Sequence, residues 1–324
     1  MKVSVTFVFL LLFVLVGMFF LYVHPPAEEG FSITSAPAQS RLLPLEEGDD
    51  LTLIEVLQPE KKEKIILTQE DEGWVLTYPV RYDAEPLLAN GLASALLWSM
   101  KARRMIREKE WSEYGLDQPV MKIGIETRKN AKRRYLMLGH ESPVGNHVYA
   151  RWEGDWEYFL LNRDILKAFD KSLYTLRAKQ IFRRPPESIN KIVIQSAQEE
   201  FEFIRRDGRW IWVQPVAILG EPVEPERMEE LILQLYGLFI KDFLDGVKID
   251  RQNHGFQTSE VLIQLIGEGR KPESLHLGAE IEDKDSYYGY REKENVLFYV
   301  ARNNVRAFFE ILESLRLETQ MASE

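Results

Sequence analysis

From Leu51 onward the chain reads twice, and a chain that repeats itself at a long, nearly constant interval folds as two copies of one unit. Gly73-Trp74-Val75-Leu76-Thr77-Tyr78-Pro79 is answered by Arg209-Trp210-Ile211-Trp212-Val213-Gln214-Pro215 at an offset of 136. Leu136-Met137-Leu138-Gly139 is answered by Leu275-His276-Leu277-Gly278 at an offset of 139. Tyr149 and Tyr288, Arg163 and Arg302, and Ala168-Phe169 and Ala307-Phe308 share the offset of 139, while Met121, Ile123 and Ile125 fall on Val261, Ile263 and Leu265 at 140. A period this long marks a domain duplication and is too long for a solenoid.

Each copy has the same grammar. A three-strand meander is expected first, at about 51–58, 62–69 and 73–78, and again at about 190–197, 199–206 and 209–214. Trp74, Leu76 and Tyr78 share one face of the third strand, as do Trp210 and Trp212 in the second copy. The closing Pro has no N–H to donate, which suits a strand end. A helix follows, with Leu88, Leu92, Leu96 and Ser99 on one stripe and Asp83 as its N-cap; Met228, Leu231, Leu235 and Phe239 form the matching stripe. Next comes a Gly-centred turn, Tyr114-Gly115-Leu116 against His254-Gly255-Phe256. Short strands follow, at about 120–126, 134–138, 147–152 and 156–161 in the first copy, and helices near 163–171 and 302–315 close the two copies. The expected fold class is α+β: two duplicated units of mainly antiparallel sheet with covering helices, preceded by one transmembrane helix. Residues 51–180 are assigned to repeat 1 and 181–324 to repeat 2. Trp74, Pro79, Gly115 and Gly139, with Trp210, Pro215, Gly255 and Gly278, form the structural repeat motif.

The strand ending W-x-x-x-x-P, the helix after it, the turn Tyr114-Gly115-Leu116-Asp117-Gln118-Pro119, the L-x-L-G strand and the later element Leu176-Arg177-Ala178-Lys179 together resemble the bacterial domain of unknown function 4340. The resemblance covers most of the chain after residue 50 and concerns fold rather than chemistry. It implies anchoring by one N-terminal helix, and an association of some members with gliding-motility-type ABC transport systems. It supplies no catalytic residues. The second copy departs from the pattern at His254-Gly255-Phe256-Gln257-Thr258-Ser259 and at Leu315-Arg316-Leu317-Glu318.

Val3 to Val23 contains no ionisable side chain other than Tyr22. Its length as a helix is about 31 Å, matching a hydrocarbon core of about 30 Å, and it lacks the polar stripe of a buried core helix. A cleaved signal peptide has a shorter apolar run with small residues close behind, whereas His24-Pro25-Pro26 follows here and Ala36-Pro37-Ala38 lies far downstream. Residues 3–23 are therefore expected to be an uncleaved transmembrane anchor. Lys2 precedes it, Glu28 and Glu29 follow it, and no Lys or Arg appears until Arg41. The positive-inside rule places residues 1–2 in the cytoplasm as a short tip and the body on the periplasmic, extracytoplasmic side of the inner membrane. Residues 24–50, with four prolines and the acidic run Glu46-Glu47-Gly48-Asp49-Asp50, read as a linker.

Charge and composition narrow the function. Fifty-one acidic against 41 basic residues give a net charge of −10, a poor match for phosphate backbones, so nucleic acid is not an expected partner. The absence of cysteine removes disulfides, thiolate nucleophiles and Cys-based metal sites. His140, Glu141 and His147 cluster, but in a turn-rich segment, and the second copy has Ala279, Glu280 and Ser286 in their places; they read as a hairpin connection. No G-x-S-x-G, H-E-x-x-H or S-x-x-K pattern occurs. No catalytic residue, metal site or cofactor is assigned. The possible interaction surface consists of Arg103, Arg104, Arg107, Lys132, Arg133 and Arg134, with Trp152 and Trp156 as an exposed aromatic pair bracketing a turn. The expected function is a non-catalytic, membrane-anchored accessory or scaffold protein with protein partners in the cell envelope. The alternative is a module that binds cell-wall glycan or a small ligand in the cleft between repeats.

Overall fold

A computed structural model describes residues 40–106, 110–257, 260–269, 271–291 and 295–323. The first repeat opens with β1 (Ser40–Arg41) and the meander β2 (Leu51–Gln58), β3 (Glu63–Glu70) and β4 (Gly73–Tyr78). It continues through β5 (Tyr82–Asp83), α1 (Pro86–Trp98), β6 (Met100–Lys101) and β7 (Arg103–Ile106). The strands β8 (Met121–Thr127), β9 (Arg134–Glu141), β10 (His147–Trp152) and β11 (Glu157–Asn162) follow, then α2 (Asp164–Phe169) and α3 (Leu173–Leu176). The second repeat comprises β12 (Ile189–Gln195), β13 (Glu200–Arg206), β14 (Arg209–Gln214), α4 (Pro225–Tyr236) and β15 (Ile240–Phe243). It ends with β16 (Val261–Gly267), β17 (Glu273–Ile281), β18 (Ser286–Arg291), β19 (Val296–Ala301) and the long helix α5 (Arg302–Ser323).

The class is α+β, with two large antiparallel sheets and a few helices. The sheet orders are β5-β4-β3-β2-β8-β9-β10-β11-β7 and β14-β13-β12-β16-β17-β18-β19-β15. Apart from β5 the two orders correspond strand for strand. β7 and β15, which sequence reasoning missed, each fold back after the helix to pair with the last strand of their unit. Alternation sets the faces. Ile54, Val56, Leu67, Leu76, Ile123 and Leu136 point into one core with Ala89, Leu92 and Leu96 of α1. Ile192, Phe203, Trp212, Ile263 and Leu275 point into the other, under Met228, Leu231 and Leu235 of α4 and Phe308, Leu312 and Leu315 of α5. The prolines that close β4 and β14 both follow cis peptide bonds.

The repeat glycines are placed alike. A Cβ on Gly139 would lie 2.1 Å from the Tyr114 carbonyl oxygen, and a Cβ on Gly278 would lie 2.1 Å from that of His254. Each L-x-L-G strand thus needs glycine because the preceding turn presses its backbone onto it. Those turns are left-handed at Gly115 and Gly255.

Three expectations are corrected. The stretch expected as linker to Asp50 is already folded from Ser40: Arg41 pairs with Met100, Leu42 N–H donates to Ser99 O at 2.8 Å, and Leu42 and Leu43 are buried. This mirrors Gln180, which bridges to Phe239 and is followed by the buried pair Ile181-Phe182, so the offset of 139 extends back through the linker. Asp83 is not the N-cap of α1; Glu85 holds that position, and Asp83 sits in β5 with its carboxylate on Arg183 Nη1 at 2.6 Å. The closing helix of repeat 2 runs to Ser323, well beyond the expected end near 315. The expected anchor, residues 3–23, lies outside the described residues, as does the cytoplasmic tip. Among the described residues no helix is long and apolar enough to cross a membrane.

Candidate interaction surface

The residues proposed from sequence as one surface are dispersed. Arg103 and Arg104 lie in β7, paired with Leu160 and Phe159, so β10 and β11 separate them from β9. Arg107 lies outside the described residues. Lys132 is exposed in the β8–β9 turn. Arg133 turns onto the sheet, where it bonds Glu126 at 2.8 Å and also contacts Glu55. Arg134 lies with its guanidinium carbon 4.4 Å over the Trp152 ring. Trp152 is not half of an exposed pair. It is only 4% exposed because residue parity on β10 directs it into the core with Val148 and Ala150, whereas Trp156, in the turn, is 72% exposed.

Glu55 explains the behaviour of Arg133. It stands on the face of β2 away from the helices, 1% exposed, with Lys64 Nζ at 2.8 Å, Tyr135 Oη at 3.1 Å and Arg133 alongside. Gly124 makes room for this, since a Cβ there would meet Tyr135 Cε1 at 2.8 Å. Burial alone would raise the Glu55 pKa, but bonds from Lys64 and Arg133, the Arg133 charge and the Tyr135 hydroxyl outweigh it and hold the carboxyl below its ordinary value.

A carboxylate–imidazole pair that sequence reasoning missed lies in repeat 2. His276 Nδ1 is 2.6 Å from Glu260 Oε1, and the ring stacks on Tyr290 at 4.3 Å. The imidazole is buried, which closes it to a substrate in solvent, and Met137 takes its place in repeat 1. His140, Glu141 and His147 stay at the ends of β9 and β10, where Glu141 bonds Arg163 at 2.9 Å. Among the described residues no group of three or more His, Asp or Glu is placed to hold a metal ion.

The repeats meet at a built junction. The connection 177–180 pairs with both sheets: Ala178 N–H donates to Asp83 O at 3.0 Å, and Ile240 N–H donates to Lys179 O at 2.9 Å. Arg177 is 1% exposed between the rings of Tyr82, at 4.7 Å, and Phe243, at 3.6 Å, and bonds both carboxylate oxygens of Asp245 at 2.8 Å. Arg291 donates to the Tyr82 hydroxyl at 3.2 Å and to Ile181 O at 2.9 Å. Tyr82, a residue of repeat 1, is packed within the core of repeat 2. The two units therefore share side chains as well as a connection.

With that frame, a family profile described as Domain of unknown function (DUF4340) matches residues 74–258. The chain belongs to the DUF4340 family. The match runs from Trp74 in β4 across the junction to the turn after Gly255, so the DUF4340 region includes the shared connection and both helices α1 and α4. No curated protein and no solved structure matches the chain.

The two helices of this DUF4340 chain differ most where they face outward. Pro86, Ala89, Leu92 and Leu96 of α1 correspond to Pro225, Met228, Leu231 and Leu235 of α4 at the offset of 139, and the last three of each set are buried. On the outer side, Glu226, Glu229 and Glu230 of α4 are replaced by Leu87, Asn90 and Gly91. α1 carries no charged residue, yet Leu87 is 83% and Trp98 68% exposed, with Asn90, Gly91 and Ser94 exposed between them. In repeat 2 the end of α5 lies over α4 through Arg227 to Glu318 at 3.1 Å and near it through Trp212 Nε1 to Thr319 at 3.2 Å. In repeat 1 the chain leaves at Arg177, the counterpart of Arg316, so the part of α5 beyond Arg316 has no counterpart beside α1; the outward row of α4 is itself open, with Leu233, the counterpart of Ser94, 69% exposed.

Proposed function

We propose that the protein is a non-catalytic, membrane-anchored extracytoplasmic accessory protein that serves as a scaffold subunit of an envelope assembly, of the ABC-export or motility-linked kind that the family resemblance implies. The observation that carries this reading is the exposed face of α1, which has no charged residue of its own. Helix faces exposed to water are ordinarily charged, whereas this one has no charged residue and exposes Leu87 and Trp98, a surface suited to a protein contact. Arg41, the second residue of the described structure, lies with its guanidinium carbon 5.0 Å from the centroid of the Trp98 ring at the end of this helix. The apolar run Val3–Val23 supports the membrane assignment, and the charge bias around it supports the orientation.

Two measurements test the proposal. Membrane fractionation with protease added from outside the inner membrane is expected to recover the full chain with membranes and to degrade the body; a soluble cytosolic chain or a shielded body overturns it. A photoreactive side chain at Leu87 is expected to yield protein adducts that the same group at exposed Val144 does not. Adducts only to wall glycan, or equal labelling at both positions, would overturn the scaffold reading.

A further inference from the structure

We infer that the bare face of α1 pairs with the same face of a second copy of the chain, the two helices running antiparallel about a two-fold axis. This rests on the proposed scaffold role and names its partner. The exposed stripe reads Leu87, Asn90-Gly91, Ser94, Trp98: large at both ends and small in the middle. A two-fold contact places the same patch against itself. Antiparallel pairing of this stripe sets Leu87 of each copy beside Trp98 of the other. The small residues meet at the crossing point, where helix backbones approach closely. Gly91 has nothing within 4 Å of where a Cβ would lie, so the space for a partner is open.

Charge points the same way. Each copy carries a net −10, so most faces of two copies repel. The α1 stripe has no ionised group, and its ends are complementary. Glu85 precedes the Leu87 end and Arg41 lies against Trp98 at the other, so antiparallel pairing brings each Glu85 toward the Arg41 of the other copy. A helix of about 20 Å gives less contact than the roughly 800 Å² per partner of a standard interface. The pairing is therefore weak in dilute solution and is favoured where a shared membrane raises the effective concentration.

The chain has no cysteine, so an introduced thiol is unique. The test is oxidative crosslinking of the full chain in native membranes, with Ser94→Cys at the crossing point and Val144→Cys as an exposed control. Ser94→Cys is expected to give a disulfide-linked dimer at least tenfold more abundant than Val144→Cys. Adding Gly91→Glu, which restores the residue type of Glu230, is expected to reduce that dimer by tenfold or more while leaving the circular dichroism spectrum unchanged. Equal crosslinking at both sites, or a Ser94→Cys thiol that reacts freely with maleimide without dimerising, overturns the inference. A thiol protected from maleimide without dimer also overturns it, yet leaves the scaffold reading standing with a different partner. Recovery of the chain in the soluble fraction counts against the anchored reading, whatever the crosslinking result.

Discussion

The guanidinium carbon of Arg177 lies 3.6 Å from the centroid of the Phe243 ring, joining the end of the first repeat to the edge strand of the second. A buried cation between two rings, with one carboxylate at its tip, gains from packing, cation–π attraction and a charged hydrogen bond together. It also carries a desolvation cost that only its partners offset.

Arg177→Ala is therefore expected to lower the unfolding free energy by about 3 kcal/mol. The loss should appear as a broadened or split urea transition, because the substitution loosens the contact between the units. Asp245→Asn, which leaves the buried cation without its counter-charge, is expected to cost about 2 kcal/mol, its partial exposure reducing the penalty. Unchanged single transitions in both variants would show that the junction is not held by this residue.

Gly139→Ala and Gly278→Ala are expected to destabilise to a similar degree, by roughly 2–3 kcal/mol each. Both place a methyl group 2.1 Å from a backbone carbonyl oxygen that cannot move without disturbing the turn at Gly115 or Gly255. Thermal unfolding of the two variants checks the equivalence. If one is neutral, the turn in that repeat has room to shift.

Acid stability should depend on Glu55. Burial opposes its charge, but its bonds to Lys64, Arg133 and Tyr135 leave the folded-state pKa depressed. A depressed carboxyl contributes stability that is complete above the unfolded-state value of about 4.5 and is lost as pH falls through the lower folded-state value. Stability of the native chain is thus expected to fall as pH drops below 4.5, and Glu55→Gln to flatten that limb while costing about 1–3 kcal/mol at neutral pH. Urea midpoints between pH 3 and pH 7, compared for the two chains, measure the difference.

Trp212→Phe keeps the aromatic body in the second core but removes the indole N–H that reaches Thr319 Oγ1 at 3.2 Å. About 1–2 kcal/mol is expected to be lost, much of it as fraying of the end of α5. Amide hydrogen exchange should quicken after Leu315 while the protection of β14 is retained.

The sheet core was legible because strand parity and the Trp, Pro and Gly landmarks are local and occur twice: β2, β4, β10 and β14 fall within a residue or so of their expected bounds. β7 and β15 were not legible, since four residues beside masking charges carry little alternation. The start of the first repeat was hidden by the prolines and acids that follow Leu43, although Arg41-Leu42-Leu43 and Gln180-Ile181-Phe182 keep the common spacing. Trp152 was misread because neighbouring turn residues outweighed its parity. At the junction only the element Leu176-Arg177-Ala178-Lys179 stood out, and nothing in it showed that it joins the two sheets. Tyr82, Arg177, Phe243, Asp245 and Arg291 have dissimilar counterparts in the other copy, apart from Arg316, so comparison of the repeats dilutes their signal.

Tyr82 also bears on how the molecule can be divided. Its ring fills part of the second unit, against Phe243 at 5.1 Å, while its backbone belongs to the first. A fragment beginning after the connection would carry a tyrosine-sized hole at that edge and would expose Phe243 to water. Cutting the chain between the repeats would thus remove part of the second unit's core along with the first unit.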